Sequence, residues 1–408
     1  MRIALLTHYY APELGAPQTR LRETARALSE LGHEIRVITG PPHYPDGRVR
    51  RGYAAWRVSR ERIDAAEVLR LPMWPRRNGG FIDRTIDQGS FAAVAILAIG
   101  PIRWADVVLV ESPPLFLGVS AALQHLLLGR PYVFHVADPW PDFPIQMGAL
   151  EHPLARRLAY GIEALAYRHA SLVTTVTPGL VEFLDAKPEA RGKVRLVTNG
   201  VDTSRFRPDR DPAAARADLG WSEAALTLVY AGSVGRAQGL ATLLDAAAPL
   251  AGEGVIVHIV GQGYERDALA AEARRRGLDH VRFEPSLPAD RIPDVLAAAD
   301  GILVMLRAGR LYEHSLPTKL VEGLAAGRPI VVSAAGEAAA IVASSGAGIV
   351  APPEDADALR EAIRALMRRT DRPAMGSAAR LVAETDYDRR GIALRLAELL
   401  AEAAATRG

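Results

Sequence analysis

The sequence predicts an α/β protein made of two successive doubly wound domains, and three observations lead there. At 408 residues the chain exceeds what one ordinary hydrophobic core organises, so two domains of roughly 200 residues each are expected. Short apolar runs of strand type alternate with stretches of helical periodicity along most of its length. That rhythm breaks in the Pro-, Asp- and Arg-rich stretch between Asn199 and Asp211, and then restarts.

In the first half, "RIALLTH" reads as a buried parallel strand. "PQTRLRETARALSELG" follows as a helix, with Leu21, Ala25, Leu28 and Leu31 on one face and a stop at Gly32. "EIRVITG", "ADVVLVES", "PYVFHVA" and "LVTTVT" are further strands, with helices at "FLGVSAALQHLLLG" and from Leu154 to Ala170. After the linker come strands "LTLVYAGS", "VIVHIVG", "VRFEPS", "GILVML" and "PIVVS", each followed by a helix. Strand and helix in this alternation mean parallel sheets covered on both faces. The expected division is residues 1–200, 201–385, and a final helical segment 386–408 rich in leucine and alanine.

Composition excludes several classes. The net charge of +2 argues against nucleic-acid binding, and the absence of cysteine excludes disulfides, thiolate catalysis and cysteine-ligated zinc. The opening segment lacks the pattern of a signal peptide, and the longest apolar run, "FAAVAILAIGPI", is too short to span a bilayer. It is expected to be a buried helix, with an interfacial helix as the alternative, and the protein to be cytoplasmic. The arginine-dense stretch from Arg48 to Arg84, with Tyr53, Trp56 and Trp74, reads either as a solvated basic face or as an attractor of an anionic acceptor or a membrane surface.

Open α/β sheets bind ligands at the carboxyl ends of their strands, so the candidate site residues are sought there. "VYAGSVGRAQG" is a strand followed by a turn with Gly232, Gly235 and Gly239; glycines admit a phosphate close to the backbone, and Arg236 adds a fork of donors. The loop at Gly15 repeats this strand–turn–helix form without G-x-G-x-x-G, which disfavours a simple dinucleotide site. Lysine occurs only at Lys187, Lys193 and Lys319. The first two lie in a polar stretch that suits solvated charges. Lys319 falls in the first turn of a helix over Thr318–Ala326, with Ser315 as the expected cap, Pro317 in the first turn and Gly327 as the stop. Its ammonium and the Glu322 carboxylate could grip a sugar diphosphate, the first on phosphate oxygens and the second on ribose hydroxyls. "YVFHVADPWPDFP" places His135 and Asp138 at a strand end, where they could position an acceptor hydroxyl or take its proton. His8 reads equally as core or ligand-facing, and the Asp pairs 209/211, 355/357 and 386/388 as solvated turns.

The segments "YYAPELGAPQTRLRETARALSELGHEIRVITG", "DPWP", "NGVDTSRFRP", "YAGSVGRAQGLATLLDAA", "IVGQGYERDAL" and "PTKLVEGLAAGRPIV", in this order, resemble glycosyltransferase family 4, the retaining enzymes of GT-B fold. The nearest pattern is that of amino-sugar transferases in bacterial surface-polysaccharide assembly. The resemblance implies two Rossmann-like domains facing a cleft, with the final helix crossing back to the first. It implies a nucleotide-diphosphate sugar, UDP-linked by expectation, with no metal or other cofactor. Arg236 and Lys319 would hold the diphosphate, Glu322 the ribose, and Gly15, Gly235 and Leu320 would lie against the donor, with its base near Gly261 and Phe283. The acceptor would be a glycan, a lipid-linked saccharide or a small molecule, with contact to the inner face of the membrane and none to nucleic acid. The sequence departs from the family twice: His314, with Glu313 immediately before it, stands where the first of two glutamates seven residues apart is usual, and Gln238 replaces a lysine, so Lys319 is expected to supply the missing ammonium. A nucleotide-sugar epimerase and a non-catalytic sugar-nucleotide-binding protein are the alternative readings.

Overall fold

The computed structural model describes residues 1–13, 15–44, 47–76, 80–221, 225–285 and 287–406. The chain divides into two compact units, Met1–Thr198 with Arg390–Gly408, and Asn199–Arg389. The first carries β1 (Arg2–Leu6), β2 (Glu34–Thr39), β3 (Ser59–Ile63), β4 (Ala66–Arg70), β5 (Val107–Ser112), β6 (Tyr132–Val136), β7 (Leu172–Thr175) and β8 (Val194–Leu196). They form one sheet in the order β3-β4-β2-β1-β5-β6-β7-β8, parallel throughout except that β3 runs antiparallel to β4. The second unit has β9 (Leu226–Ala231), β10 (Val255–Val260), β11 (Val281–Glu284), β12 (Gly301–Met305), β13 (Ile330–Ser333) and β14 (Gly348–Ala351) in the parallel order β11-β10-β9-β12-β13-β14.

Period-two alternation explains why the strands are apolar throughout. Ile3 and Leu5 face a core that includes Leu21, Ala25 and Leu28 of the Ala16–Glu30 helix. Ala4 and Leu6 face the opposite core with Phe91, Leu117 and Ala166. The second sheet is covered in the same way, Leu228 and Tyr230 facing one core and Val229 and Ala231 the other.

The last helix, Arg389–Ala405, inserts Leu396, Leu399, Leu400 and Ala403 into the core of the first unit beside Ile3 and Leu5. The second unit extends to Arg389 rather than ending at 385, because its two ends are stitched together. The Val201 N–H donates to the Tyr387 carbonyl at 2.8 Å, the Arg389 N–H to the Val201 carbonyl at 3.0 Å, and the Thr203 hydroxyl to Asp388 at 2.6 Å.

Several expectations change. The arginine-dense stretch is not simply a basic face, since it contains the β3–β4 pair, which sequence periodicity missed. Arg70 in it is fully buried, donating to the Gly40 and Ala11 carbonyls and to Glu61; Arg77 lies outside the described residues. Lys187 and Lys193 are structural rather than solvated. Lys187 bridges Asp142 and Glu163 at 2.7 and 2.6 Å. Lys193 donates to the Tyr167, Arg168 and Ala170 carbonyls at the end of the Pro153–His169 helix, where three donors match unpaired acceptors. The apolar run Phe91–Ile102 is not one buried helix: it closes the Phe81–Ala95 helix with Phe91, Ala92 and Ala95 buried, breaks, and resumes in Ile99–Trp104, with Leu97 and Ile99 exposed. Among the described residues no helix is long and apolar enough to cross a membrane.

Leu400→Ala deletes a fully buried side chain that anchors the returning helix. It is expected to destabilise the first unit by about 3 kcal/mol, read as a lowered urea midpoint with the second unit's transition unmoved.

Candidate active site

In the second unit the sheet order places the loops after β11, β10, β9 and β12 side by side at the carboxyl edge. After β9 the chain passes through Gly232 and Gly235 into a short helical turn at Arg236–Gln238. The Gly235 N–H donates to the Gln238 side-chain oxygen at 3.2 Å, so the residue standing where a lysine is usual braces this turn. Arg236 is exposed, its guanidinium 5.3 Å from the centre of the Tyr264 ring.

Lys319 lies in the first turn of the Thr318–Ala325 helix after β12. Its Nζ donates to the Tyr230 hydroxyl and sits 4.1 Å from the ring centre; the hydroxyl in turn donates to the Ser233 carbonyl. Among the described residues the other two ammonium donors have no partner. Gly232 makes this seat possible, since a Cβ there would meet the lysine's Cε at 3.0 Å and Nζ at 3.2 Å. Gly232 is itself held because Gly261, at φ +156°, lies so close that a Cβ on it would collide with the Gly232 carbonyl. Burial pushes the Lys319 ammonium down to about 7, with the Glu322 carboxylate opposing. Glu322 is half-buried one turn along the same helix.

The other candidates fall around this seat. Gly261 directly follows β10, and its carbonyl accepts from Arg266 Nε at 3.1 Å, while Arg266 Nη2 donates to the Glu284 carbonyl at 2.9 Å, which ties the β10 loop to the end of β11. Phe283, in β11, is half-buried against the unit's core. Leu320 is fully buried in the core, so its side chain cannot touch a donor, and its N–H is bonded to the Pro317 carbonyl. Glu313 is exposed at the end of the Arg310–Glu313 helix, and His314 follows it, half-buried. Ser315 does not cap the Thr318–Ala325 helix. Pro317 takes the cap position, and the Ser315 N–H instead closes the preceding turn onto the Tyr312 carbonyl.

Gly15, His135 and Asp138 belong to the first unit. Gly15 is the cap residue of the Ala16–Glu30 helix. His135, on β6, is buried with Nδ1 3.0 Å from the Thr174 hydroxyl. Burial, reinforced by Arg20, holds its pKa well below the usual value, so the imidazole is neutral and a poor base. Asp138, two residues past β6, is exposed; surrounding protein raises its pKa and Arg20 opposes this, and exposure to solvent limits the rise. Sequence reasoning missed Arg20 and Glu111, which form an ion pair beside these residues. The available signal was a glutamate at the end of the otherwise apolar strand "VVLVES".

Also missed was a buried cluster of His8 and His43, in the loops after β1 and β2, with Asp87 of the Phe81–Ala95 helix, the group among the described residues whose donor atoms could hold a metal ion. Its hydrogen bonds favour protons there. His43 Nδ1 donates to the Pro41 carbonyl at 2.8 Å, so its Nε2, 3.0 Å from Asp87, faces the carboxylate productively only as a second N–H. His8 Nε2 donates to Asp87 at 2.8 Å, but its Nδ1 has no partner among the described residues. A metal-bound imidazole ordinarily donates its other N–H, which His8 could not do here. His8 is therefore core, and the cluster is a His43–Asp87 ion pair with a neutral His8. Asp211 and Asp355 cap helices by accepting from the Ala213 and Ala358 N–H groups, whereas Asp388 is no solvated turn, since it accepts from Thr203 and bridges to Val201.

Residues 15–200 match the model of the glycosyl transferase 4-like domain, and residues 225–369 that of glycosyl transferases group 1. The putative colanic acid biosynthesis glycosyl transferase WcaI of Escherichia coli K12 is 30% identical over 402 residues, spanning 96% of this chain and 98% of its own. The chain belongs to glycosyltransferase family 4. Sucrose-phosphate synthase from Thermosynechococcus elongatus shares the transferase's fold with a TM-score of 0.79 at 19% identity, over 99% of each chain. Anabaena HepE, solved in complex with UDP-glucose, does so with a TM-score of 0.73 at 20% identity, over 98% of this chain and all of its own. The glycosyltransferase fold is GT-B.

The His43–Asp87 pair gives this glycosyltransferase a pH signature. Its hydrogen bonds and charge contacts raise the His43 pKa despite burial and depress that of Asp87 against its own burial. A raised histidine pKa stabilises fully below its unfolded value of 6.5 and loses that contribution as pH rises through the folded value. A depressed carboxyl stabilises above its unfolded value of 3.8 and loses it as pH falls. The stability gap between wild type and His43→Gln is thus expected to be widest between these two pH values and to narrow on either side, as measured by urea unfolding across pH.

Proposed function

We propose that this glycosyltransferase is a retaining enzyme that moves a sugar from a UDP-sugar, with an N-acetyl amino sugar as a candidate, to a hydroxyl of a glycan, lipid-linked or small-molecule acceptor. The observation that carries this reading is the Lys319 seat: a half-buried cation with two uncommitted donors at a helix start, beside a glycine-lined turn, suited to diphosphate oxygens. Lys319 and Arg236 neutralise the leaving diphosphate, Glu322 accepts from the ribose, and the linked β10 and β11 loops receive the base. With the charge met by basic side chains and a helix terminus, the proposal assigns no metal to the leaving group. The similarity to a colanic acid transferase supports a place in surface-polysaccharide assembly, with the protein in the cytoplasm at the inner face of the membrane.

In the retaining reaction the acceptor hydroxyl attacks the anomeric carbon on the face from which the diphosphate departs, and geometry with charge stabilisation supplies the acceleration. Asp138 is the acceptor-side contact; His135, neutral and buried, shapes its floor.

The test is UDP release from a panel of UDP-sugars with and without glycan acceptors, with the product's anomeric configuration read by NMR. Acceptor-dependent release with retained configuration supports the reading. Release or isomerisation that ignores the acceptor supports an epimerase instead, and no turnover of any UDP-sugar contradicts it. Because the free ammonium titrates near 7, donor affinity is expected to weaken as pH rises through 7, by up to about tenfold per unit, a slope that Lys319→Ala should abolish along with most of the turnover.

A further inference from the structure

In the second unit a histidine lies sealed beneath the end of β11, and the chemistry described so far does not use it. His258, on β10, is fully buried, its ring stacked on that of Trp221 with 3.7 Å between centres and 16° between planes. Its strand neighbours Val257 and Ile259 face one core, while His258 points to the other side with Val260. Nδ1 donates to Glu284 Oε1 at 2.6 Å; a carboxylate oxygen only accepts, so the proton belongs to Nδ1. Nε2 is buried with no partner among the described residues.

A phenylalanine would fill the same space against Trp221 without burying an unpartnered nitrogen, so packing alone does not account for the imidazole. What the imidazole adds is its bond to Glu284. β11 has four residues, forms the edge of its sheet and pairs with β10 alone, and the end of so short an edge strand frays unless it is tied. Its last residue, Glu284, is tied twice by side chains. His258 holds the carboxylate, and Arg266 holds the carbonyl together with that of Gly261. Backbone bonds carry the connection on to the turn beside Lys319. The Gly232 N–H donates to the Val260 carbonyl at 2.9 Å, and the Val234 N–H to the Gln262 carbonyl at 2.8 Å. The ends of β9, β10 and β11 are thereby fixed as one surface.

We propose that His258 is a positioning residue for the nucleobase of the donor: acting through Glu284, it holds the end of β11 against the β10 loop, so that a uracil ring meets a surface already in place. The proposal rests on the reading of these two strand ends as the base seat. A seat formed in advance gives up less conformational freedom on binding. The effect therefore falls on the base's share of donor affinity and leaves the share of the diphosphate, gripped by Lys319 and Arg236, as it was.

The test is calorimetry of full-length protein with UDP and with ribose 5-diphosphate, which keeps the ribose and diphosphate but lacks the base. Wild type is expected to bind UDP the more tightly. His258→Phe, which keeps the stacking on Trp221, should weaken UDP at least about fivefold while leaving ribose 5-diphosphate within about twofold. Glu284→Gln retains an oxygen that accepts from Nδ1 and should keep most of the wild-type affinity. Glu284→Ala should lose as much as His258→Phe, with no further loss in the double variant. Melting temperatures show which variants fold, and Glu284→Ala, at the sheet edge, carries the test if His258→Phe does not. Unchanged UDP affinity in both of these variants, an equal loss for the two ligands, or additive losses in the double variant each overturns the proposal. Wild type that binds neither ligand contradicts the UDP-sugar reading and this proposal with it, whereas wild type that binds both equally removes the base seat alone.

Discussion

The second unit is organised around one contact, the Lys319 ammonium against the Tyr230 hydroxyl. A lysine cannot be brought into half-buried surroundings without loss of solvation, and the depressed pKa records that loss. The seat exists because two backbone positions carry no Cβ. Gly232 leaves room for the end of the lysine chain, and Gly261 lets the β10 loop press against the Gly232 carbonyl. Arginine, with its wider planar fork, would not fit the space that the ammonium fills. That accounts for a lysine at this position in a chain that otherwise draws on arginine for nearly all its positive charge.

The first unit follows a different principle, in which buried charges are balanced in small closed sets. Arg70 holds two loop carbonyls, His43 pairs with Asp87, and Arg20 pairs with Glu111. The first two sets fix the loops that follow β1 and β2, and the third lies beneath Asp138 at the ends of β5 and β6. A buried ion pair contributes little net stability but is costly to break singly, so such sets hold geometry more than they add to the free energy of folding. The site chemistry thus stands on a scaffold whose charged groups are largely occupied with one another. Among the described residues the Lys319 donors and the unpartnered atoms beside Asp138 are two of the exceptions.

Much of this was legible in the sequence. Parallel strands announce themselves as short apolar runs, and the carboxyl ends of those runs carried Gly235, Arg236, Gly261, Asp138 and the segment containing Lys319. What escaped was short, polar or dependent on distant partners. β3 reads "SRERI", too charged for a buried strand because it is the edge of the sheet. Lys193 looked like surface because nothing local shows that three carbonyls at a helix end lie beside it. His8, His43 and Asp87 are separated by more than thirty residues at each step, and no spacing rule joins them. Tyr230, which holds Lys319, looked like an ordinary strand aromatic. Its role appears only once β9 and the Thr318–Ala325 helix are side by side.

The measurement that tests the central claim most directly is the thermal and chemical stability of wild type and Lys319→Ala with saturating UDP, GDP, dTDP and ADP. A ligand at a hundredfold excess over its dissociation constant stabilises by about 2.7 kcal/mol. The account predicts a shift of that order for UDP, smaller shifts for the other nucleotides, and loss of the UDP shift in Lys319→Ala. An equal UDP shift in the variant, or no shift with any nucleotide in the wild type, would contradict it.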